Sequence, residues 1–527
     1  MKRHPPSTAR AERTIDPRSR GRLAATLALG AWIAAASHAD ASATPSIEST
    51  VSRFAASSPL PHSTLALLES GSAAWSLLLL AVVGTIALGS LSLLRSASLR
   101  RPSFWLATLF LLQISWAAAT VPSELSAPLV SGSIRVDSAF PEFTARLAAV
   151  CFPLVIAAWL ALTPQLDPSP SPLAAGATDR PSPAERLALL ATLAASAVGI
   201  GVLLIAVPLS ETGLWAAFES PEALASRRET TFKLLPSALV KSAYGNAMTV
   251  AIPLAVALLA SRRWFADRAV DLAFRTIAIA GLLLGASLSG ARSNAAFLVI
   301  LMGLVLLVRG PLPRLRTVAI AGGIGLAIVA LMSVLPWLMS TGGLPATAAD
   351  SAFWIARRAF SLPFQTGLWH LHYAATHGAW GFDGFYIPLR STLGGEYADP
   401  ATVVGRWYAA GVLGRPELST TMNSSVLWIS MASFGSAAGF MLAAALVLAS
   451  DLAARCTRAL PGSLGTAMLA LLIWQTSFGV HNELVGRLFA WMQQAFIVLA
   501  ATLLAAVAAR ALSVVRSGTT RTAEGLD

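Results

Sequence analysis

Charged residues are scarce in this chain, at 12% of its 527 residues, against roughly a quarter in ordinary soluble domains. Hydrophobic residues make up 55%, and the mean hydropathy is +0.66. This composition excludes an ordinary soluble protein and indicates one embedded in a lipid bilayer. The formal net charge of +12 does not indicate nucleic-acid binding, because the basic residues lie in short connectors between apolar runs.

Cysteine is rare as well. Cys151 and Cys456 each fall in or beside an apolar run, and they have neither the number nor the spacing of a disulfide framework or a zinc site. No glycine-rich nucleotide-binding loop follows a predicted strand. We therefore expect no metal site and no cofactor.

Apolar runs of about 20 residues recur along the chain, and a run of that length spans a bilayer as a helix. We predict an all-α polytopic membrane protein with about twelve transmembrane helices. The predicted spans are 22–39, 73–94, 103–121, 143–163, 187–209, 243–260, 272–290, 293–309, 317–338, 424–450, 463–480 and 488–511. The first resembles a cleaved signal peptide as closely as it resembles a spanning helix.

Lys and Arg are concentrated in alternate connectors, which the positive-inside rule assigns to the cytoplasm together with the N-terminus. Arg262 lies in one of these connectors, and we expect it to be replaceable with little effect. Another, 163–185, is rich in Pro and Ser and predicts a spacer without a site. The resulting divisions are a cytoplasmic tail 1–21, transmembrane helices 22–338, a large periplasmic loop 339–422, transmembrane helices 423–511 and a cytoplasmic tail 512–527.

The large loop is far longer than the usual connection of about 4 to 6 residues, so we expect it to have structure or function of its own. Within it, the segment 353–373 carries several Trp and Phe residues around a polar face. That pattern predicts a helix lying along the membrane interface or dipping into it.

Basic residues on the outward side are the strongest site candidates. Arg292 stands in a short turn between two apolar runs, where a guanidinium is costly unless it faces a cavity, a partner or an anion. Arg357 and Arg358 suit a pyrophosphate, since each can donate two charge-assisted hydrogen bonds. The alternatives are snorkelling to headgroups and general binding of anionic lipid. Arg228 and Lys241 add charge where the positive-inside rule predicts little.

Several groups on the same side are candidates to take a proton from a substrate hydroxyl, and the sequence does not choose among them. They are His370, His372, His377, Asp383, Glu396, Asp399, His481 and Glu483. His370 and His372 are two residues apart, which is poor metal-binding spacing on a helix. Asn423 is most simply a helix N-cap, and Gly435 and Gly439 indicate close helix packing.

These features together resemble one family, the Wzy-like oligosaccharide repeat-unit polymerases of O-antigen and exopolysaccharide synthesis. The resemblance covers about 285–445, and the N-terminal third contributes only its number of helices. It rests on the Ser-Gly-Ala-Arg-Ser turn at 289–293, Arg357-Arg358-Ala-Phe, the stretch from Asp399 to Gly405-Arg406-Trp-Tyr, Met422-Asn423-Ser424 and Phe434-Gly435.

The resemblance implies a metal-independent, lipid-dependent glycosyltransferase with a GT-C-like fold in the bacterial inner membrane. Its substrates would be undecaprenyl-pyrophosphate-linked glycans, and a flippase and a chain-length regulator are further candidate partners. Arg292, Arg357 and Arg358 would bind the pyrophosphate and stabilise its charge as it leaves. Arg406 and Asn423 would line the path of the sugar or lipid, and the remaining substrate-binding candidates are Arg228, Lys241, His370 and His372.

The family often has a Trp-His-Ser stretch after the aromatic segment, where this chain reads Trp380-Gly381-Phe382-Asp383. The resemblance therefore supplies no catalytic base. The nearest alternative function is an O-antigen ligase. A transporter or flippase of lipid-linked sugars is a second alternative, although the chain lacks the internal repeat that transporters commonly show. A non-catalytic scaffold for polymer synthesis is a third.

Overall fold

The computed structural model describes residues 80–89, 96–120, 142–166, 181–219, 235, 237–289, 292–309, 362–385, 399–411, 422–460, 462–481 and 484–523. Within these ranges the chain forms helices and no strand, which confirms the all-α prediction for this part of the protein. Eight of its helices are long and apolar enough to cross a membrane. The protein is accordingly a multi-pass, all-α membrane protein.

The described residues form fourteen α-helices, α1 to α14 in chain order. They are α1 (Leu80–Gly89), α2 (Pro102–Phe110, continued by a π-helical turn Leu111–Ser115 and by Trp116–Thr120), α3 (Glu142–Leu162), α4 (Pro183–Ala206), α5 (Gly213–Glu219), α6 (Ala238–Asn246, continued by a π-helical turn Ala247–Ala251 and by Ile252–Ser261), α7 (Arg268–Ser287), α8 (Arg292–Arg309), α9 (Leu362–His377), α10 (Pro400–Gly411), α11 (Val426–Phe434), α12 (Ser436–Cys456), α13 (Gly462–Ser477) and α14 (Leu484–Ala523).

Most predicted spans that fall on described residues coincide with these helices. The helices α2, α3, α4, α6, α7, α8, α13 and α14 each occupy a predicted span, with ends that differ by a few residues except that α14 continues to Ala523, beyond the predicted end at 511. Only α1 is described of the span 73–94. The spans 22–39 and 317–338, the tail 1–21 and most of the loop 339–422 lie outside the described residues, so the total of twelve spans stays a prediction.

The predicted span 424–450 is wrong as a single helix. Gly435 has φ of 83°, a left-handed conformation that suits glycine and ends α11 before α12 begins. α11 then folds back against α12, since a Cβ at Gly439 would lie 2.3 Å from the Ser430 carbonyl oxygen. Close packing is thus confirmed at Gly439, whereas Gly435 serves the turn between two helices.

A buried ion pair joins three helices at one end of the bundle. Arg101 donates from Nε and Nη2 to Asp451 Oδ2, at 3.0 and 2.5 Å, and both side chains are fully buried. Asp451 also accepts from the backbone N of Ser103 at 3.1 Å, while Arg101 Nη1 donates to the Thr163 carbonyl at 3.0 Å. The start of α2, the end of α3 and the end of α12 are therefore held together.

A second ion pair joins three further helix ends. Glu185 forms a capping box with Ser182 at the start of α4 and accepts from Arg262 Nη1 at 2.8 Å. The other carboxylate oxygen of Glu185, Oε1, accepts from the backbone N of Ser463 at 3.0 Å and from the Ser463 hydroxyl. Because Arg262 ends α6 and Ser463 starts α13, three elements meet on one carboxylate. Arg262 is therefore a buried, ion-paired residue, which argues against the expectation that it can be replaced with little effect.

Both ion pairs lie at the same end of the bundle. Asp451 is near the end of α12 and Ser463 is at the start of α13, and the short turn Thr457–Ala459 joins these two helices. We call this the ion-pair end. The connectors that meet there are 96–101, 163–166, 181–185, 261–271 and 451–463, all of which were predicted to be cytoplasmic. α13 runs from this end through the centre of the bundle and packs against α2, α6, α8 and α14.

We expect the conversion of Asp451 to Asn to lower the free energy of unfolding by about 3 to 5 kcal/mol, because Arg101 would keep a buried charge without its counter-ion. Thermal unfolding of the detergent-solubilised protein measures this loss. The exposed Glu211→Gln variant is the control and should unfold like wild type. An Asp451→Asn protein as stable as wild type would contradict the role given to the ion pair.

A methyl group added at Gly439 should separate α11 from α12, because its Cβ would lie 2.4 Å from Met431 Cα. We expect Gly439→Ala to destabilise the protein by about 1 to 3 kcal/mol in the same assay. Gly281→Ala is the matched control, since nothing lies within 4 Å of a Cβ there and alanine favours a helix. Equal unfolding temperatures for the two variants would show that the hairpin is loosely packed.

Candidate functional site

The candidate site lies at the end of the bundle opposite the ion-pair end. α12 has 21 residues and is therefore about 31 Å long, so its first residue, Ser436, is far from Asp451. α11 folds back from that point, and α9 packs on α11. The backbone N of Trp380, just after α9, donates to the Ala432 carbonyl at 3.3 Å. We call this region the opposite end.

α9 is a helix, as expected, but it does not lie on the surface. Its residues from Pro363 to Gly367 and from Trp369 to His372 are all buried, against α11, α10 and the π-helical turn of α2. A Cβ at Gly367 would lie 2.3 Å from the Trp428 indole, so glycine is what allows this contact. α9 is thus built into the bundle over its first three turns, whereas residues 353–361 of the predicted interfacial segment lie outside the described residues.

His370 connects α9 to the segment that enters α11. Its side chain is fully buried, and Nε2 lies 2.7 Å from the Met422 carbonyl oxygen. A carbonyl only accepts, so Nε2 carries the proton and Nδ1 is unprotonated, with no hydrogen-bond partner among the described residues. Burial lowers the pKa of His370 to about 4, against the opposing effects of the Met422 bond and of Asp399. His370 therefore has a structural contact at this position, and its predicted role in substrate binding stays a prediction.

An aromatic cluster fills the space between α9, α10 and the chain after α9. Its members are Trp369, His372, Tyr373, His377, Trp380, Trp407 and Tyr408. Tyr373 stacks on His377, with ring centroids 4.2 Å apart and planes 7° apart, and on Trp380 at 5.1 Å and 18°. Trp369, His372 and Tyr408 are buried, whereas His377 is exposed. The cluster therefore has a packed inner part and a rim open to solvent.

Other predicted substrate-binding residues are exposed at the surface of α6, α10 or the segment before α11. Arg406 is exposed on α10, Lys241 is exposed near the start of α6, and Asn423 is exposed before α11. Asn423 is not the N-cap, because the hydroxyl of Ser425 accepts from the backbone N of Trp428 at 3.4 Å. His372 is buried within the aromatic cluster and contacts Trp407.

The predicted catalytic arginines are not tested by the described residues. Arg357, Arg358 and Arg228 lie outside them. Arg292 is the first residue of α8, but its side chain lies outside what is described.

The remaining candidate proton acceptors lie in different environments. Asp399 caps α10, where its oxygens accept from the backbone N of Ala401 at 3.3 Å and from the Thr402 hydroxyl at 2.7 Å. Burial lowers the pKa of His481 to about 4. Asp383 is exposed after α9, and Glu396 and Glu483 lie outside the described residues.

Two features of the opposite end were not predicted. Arg487, in the first turn of α14, lies over the Phe478 ring at 4.7 Å, and Phe478 contacts the Phe297 ring of α8 at 4.5 Å. Arg487 therefore lies beside the first turns of α8, which begins with Arg292. The sequence signal for this feature was Arg487 itself, a basic residue at the outward start of the predicted span 488–511.

The second feature is a set of buried polar atoms between α9 and α11. Those without a hydrogen-bond partner in the described part of the chain include Gln365 Oε1, Ser424 Oγ, Trp428 Nε1, Ser430 Oγ and Ser433 Oγ. Buried polar groups are normally hydrogen-bonded, so such a set is unusual.

Comparison with protein-family models, with curated proteins and with solved structures finds no match. The function is therefore inferred from the chemistry of the opposite end. Among the described residues, no group of three or more His, Cys, Asp or Glu side chains is placed to hold a metal ion. Both cysteines are free, with Cys151 buried and Cys456 exposed.

The buried, neutral His370 should make stability depend on pH. Its folded pKa of about 4 lies below the value of about 6.5 for an unfolded chain, so the unfolded state binds more protons as the pH falls. The contribution of neutral His370 to the free energy of unfolding is then fully present above about pH 6.5. We expect about 2 kcal/mol of that free energy to be lost between pH 7 and pH 5. Thermal unfolding at a series of pH values measures this.

His370→Gln keeps a donor for the Met422 carbonyl but does not titrate, so this variant should lose most of the pH dependence. His377→Gln, which changes an exposed histidine of the same helix, should retain it. The same pH dependence in wild type and His370→Gln would show that another group is responsible.

Proposed function

We propose that this protein polymerises undecaprenyl-pyrophosphate-linked oligosaccharide repeat units into O-antigen or exopolysaccharide. The reaction would take place at the periplasmic face of the bacterial inner membrane, catalysed by a lipid-dependent glycosyltransferase with a GT-C-like fold. The observation that carries the proposal is the aromatic and polar layer formed by α9, α10 and α11 at the opposite end, in the same region of the bundle as the start of α8.

The distribution of charge supports this orientation. The ion-pair end gathers the arginine-rich connectors, including Arg100, Arg101, Arg262, Arg263 and Arg268. Connectors rich in Lys and Arg remain in the cytoplasm. The opposite end would then face the periplasm, where lipid-linked repeat units are available but nucleotide sugars are not.

The chemistry of the reaction matches the residue types present. Transfer from a pyrophosphate needs little covalent help, because the leaving group is good, so positioning and cationic stabilisation supply much of the catalysis. Arg292, Arg357 and Arg358 would hold the diphosphate. Aromatic rings and exposed polar groups such as Arg406 and Asn423 would contact the glycan, with Lys241 and Arg228 adding positive charge near the lipid headgroups.

An O-antigen ligase would use the same lipid donor and the same kind of site. The two functions differ in the lipid that accumulates when the gene is deleted. A polymerase mutant accumulates single repeat units on undecaprenyl pyrophosphate, whereas a ligase mutant accumulates long chains on it. Mass analysis of extracted lipid intermediates distinguishes these outcomes. A transporter is excluded if the purified protein elongates lipid-linked repeat units in detergent, where no gradient exists.

Replacement of the outward arginines should abolish polymer without preventing membrane insertion. We expect Arg292→Ala and Arg357→Ala each to lower the rate of polymerisation by about 100-fold or more, as loss of a charge-stabilising donor usually does. The exposed Arg268→Ala variant at the ion-pair end is the control and should remain active. Wild-type polymer levels in either outward variant would remove that arginine from the site.

A further inference from the structure

We infer that His377 is the group that accepts the proton of the attacking sugar hydroxyl, through its Nε2 atom. This inference rests on the proposed polymerase function and adds the general base that the sequence left open. It depends on three observations: the hydrogen bonds that fix the imidazole tautomer, the ring contacts that hold the imidazole, and its exposure at the rim of the aromatic cluster.

The hydrogen bonds of His377 determine which ring nitrogen is protonated. Nδ1 lies 3.2 Å from the Tyr373 carbonyl oxygen and 2.7 Å from the Thr376 hydroxyl oxygen. The carbonyl only accepts, and the Thr376 hydroxyl proton is directed to the carbonyls of His372 and Tyr373, at 3.0 and 3.1 Å. Both contacts therefore require a proton on Nδ1. In the neutral ring, Nε2 is then the atom with the free lone pair.

Ring contacts hold the imidazole in this position. His377 stacks on Tyr373 at 4.2 Å and meets the Trp407 ring edge-on at 5.9 Å. Tyr373 is held in turn by Trp380 on the chain after α9. A histidine fixed by hydrogen bonds at Nδ1 and by two aromatic rings is oriented much as a catalytic base must be.

Exposure distinguishes His377 from the other histidines of the region. The side chains of His370 and His372 are buried, and His370 uses Nε2 for the Met422 carbonyl. His377 is exposed, so a hydroxyl can reach it. Among the described residues, the titratable or charged side chains on the elements packed around it are His370, His372 and Tyr373 on α9, Asp383 in the Gly381–Gly384 turn, Asp399 at the start of α10, and Arg406 and Tyr408 on α10.

The transfer step balances without a further reactant. The acceptor hydroxyl oxygen forms a bond to the anomeric carbon of the donor glycan as the bond from that carbon to the phosphate oxygen breaks. The electron pair of the broken bond stays on the undecaprenyl pyrophosphate. The hydroxyl proton passes to His377 Nε2, and the imidazolium then releases it to water.

The test uses purified full-length protein in detergent with lipid-linked repeat units as substrate. We expect His377→Gln to lower kcat about 100-fold or more with little change in KM, since loss of a general base affects the chemical step. The kcat of wild type should fall toward acidic pH as the base is protonated, and that limb should be absent from the variant. Imidazole added to His377→Ala should restore part of the rate.

Thr376 offers a matched pair of variants. Thr376→Val removes the oxygen that accepts from Nδ1 and should lower kcat, whereas Thr376→Ser keeps the hydroxyl and should stay close to wild type. A purely structural role for His377 would give no rescue by imidazole and no change in the pH profile.

The possible failures are distinguishable. If wild type polymerises, and His377→Gln has the wild-type kcat with the same fall toward acidic pH, the role of His377 is refuted and the proposed function stands. If wild type leaves lipid-linked repeat units unchanged and a deletion strain does not accumulate them, the proposed function fails, and this inference fails with it.

Discussion

Two buried carboxylates determine the arrangement of this bundle. Asp451 binds Arg101, and Glu185 binds Arg262, so each carboxylate holds the ends of three helical elements through charge-assisted hydrogen bonds. A buried charge without its partner is strongly destabilising, so these helix ends cannot separate independently. The ion-pair end is therefore fixed, and the direction of α12 is fixed with it. α12 carries the chain from this end back to the turn at Gly435, about 31 Å away.

The opposite end is built by close approaches that only small residues permit. Gly435 provides the turn, Gly439 allows the backbone of α11 to lie against α12, and Gly367 allows α9 to contact the Trp428 indole. His370 then secures the segment before α11 to α9 through the Met422 carbonyl. The aromatic cluster rests on this packed base. Its rim can consequently present an oriented imidazole at a surface that would otherwise be a loose loop.

Hydropathy predicted the helices well, because a bilayer imposes the same length and composition on every span. It failed at 424–450, since an apolar run with two glycines looks the same whether it continues straight or folds back. It also placed the segment 353–373 at the membrane interface, although the polar side chains of Gln365 and His370 in α9 are buried. Arg262 seemed dispensable because its partner, Glu185, is 77 residues away. The local pattern of apolar and polar residues does not encode contacts between distant segments. The proposed site arginines fall largely outside the described residues.

The two ends use arginine in different ways, and this difference bears on function. At the ion-pair end, Arg101 and Arg262 contact carboxylates, which neutralise them. At the opposite end, Arg146 lies over the Phe364 ring at 5.3 Å and Arg487 over the Phe478 ring at 4.7 Å. An aromatic face attracts a guanidinium without cancelling its charge. Aromatic rings thus orient two guanidiniums at the end where the proposed polyprenyl pyrophosphate would bind, and an oriented, planar guanidinium is the group best shaped to donate paired hydrogen bonds to phosphate oxygens.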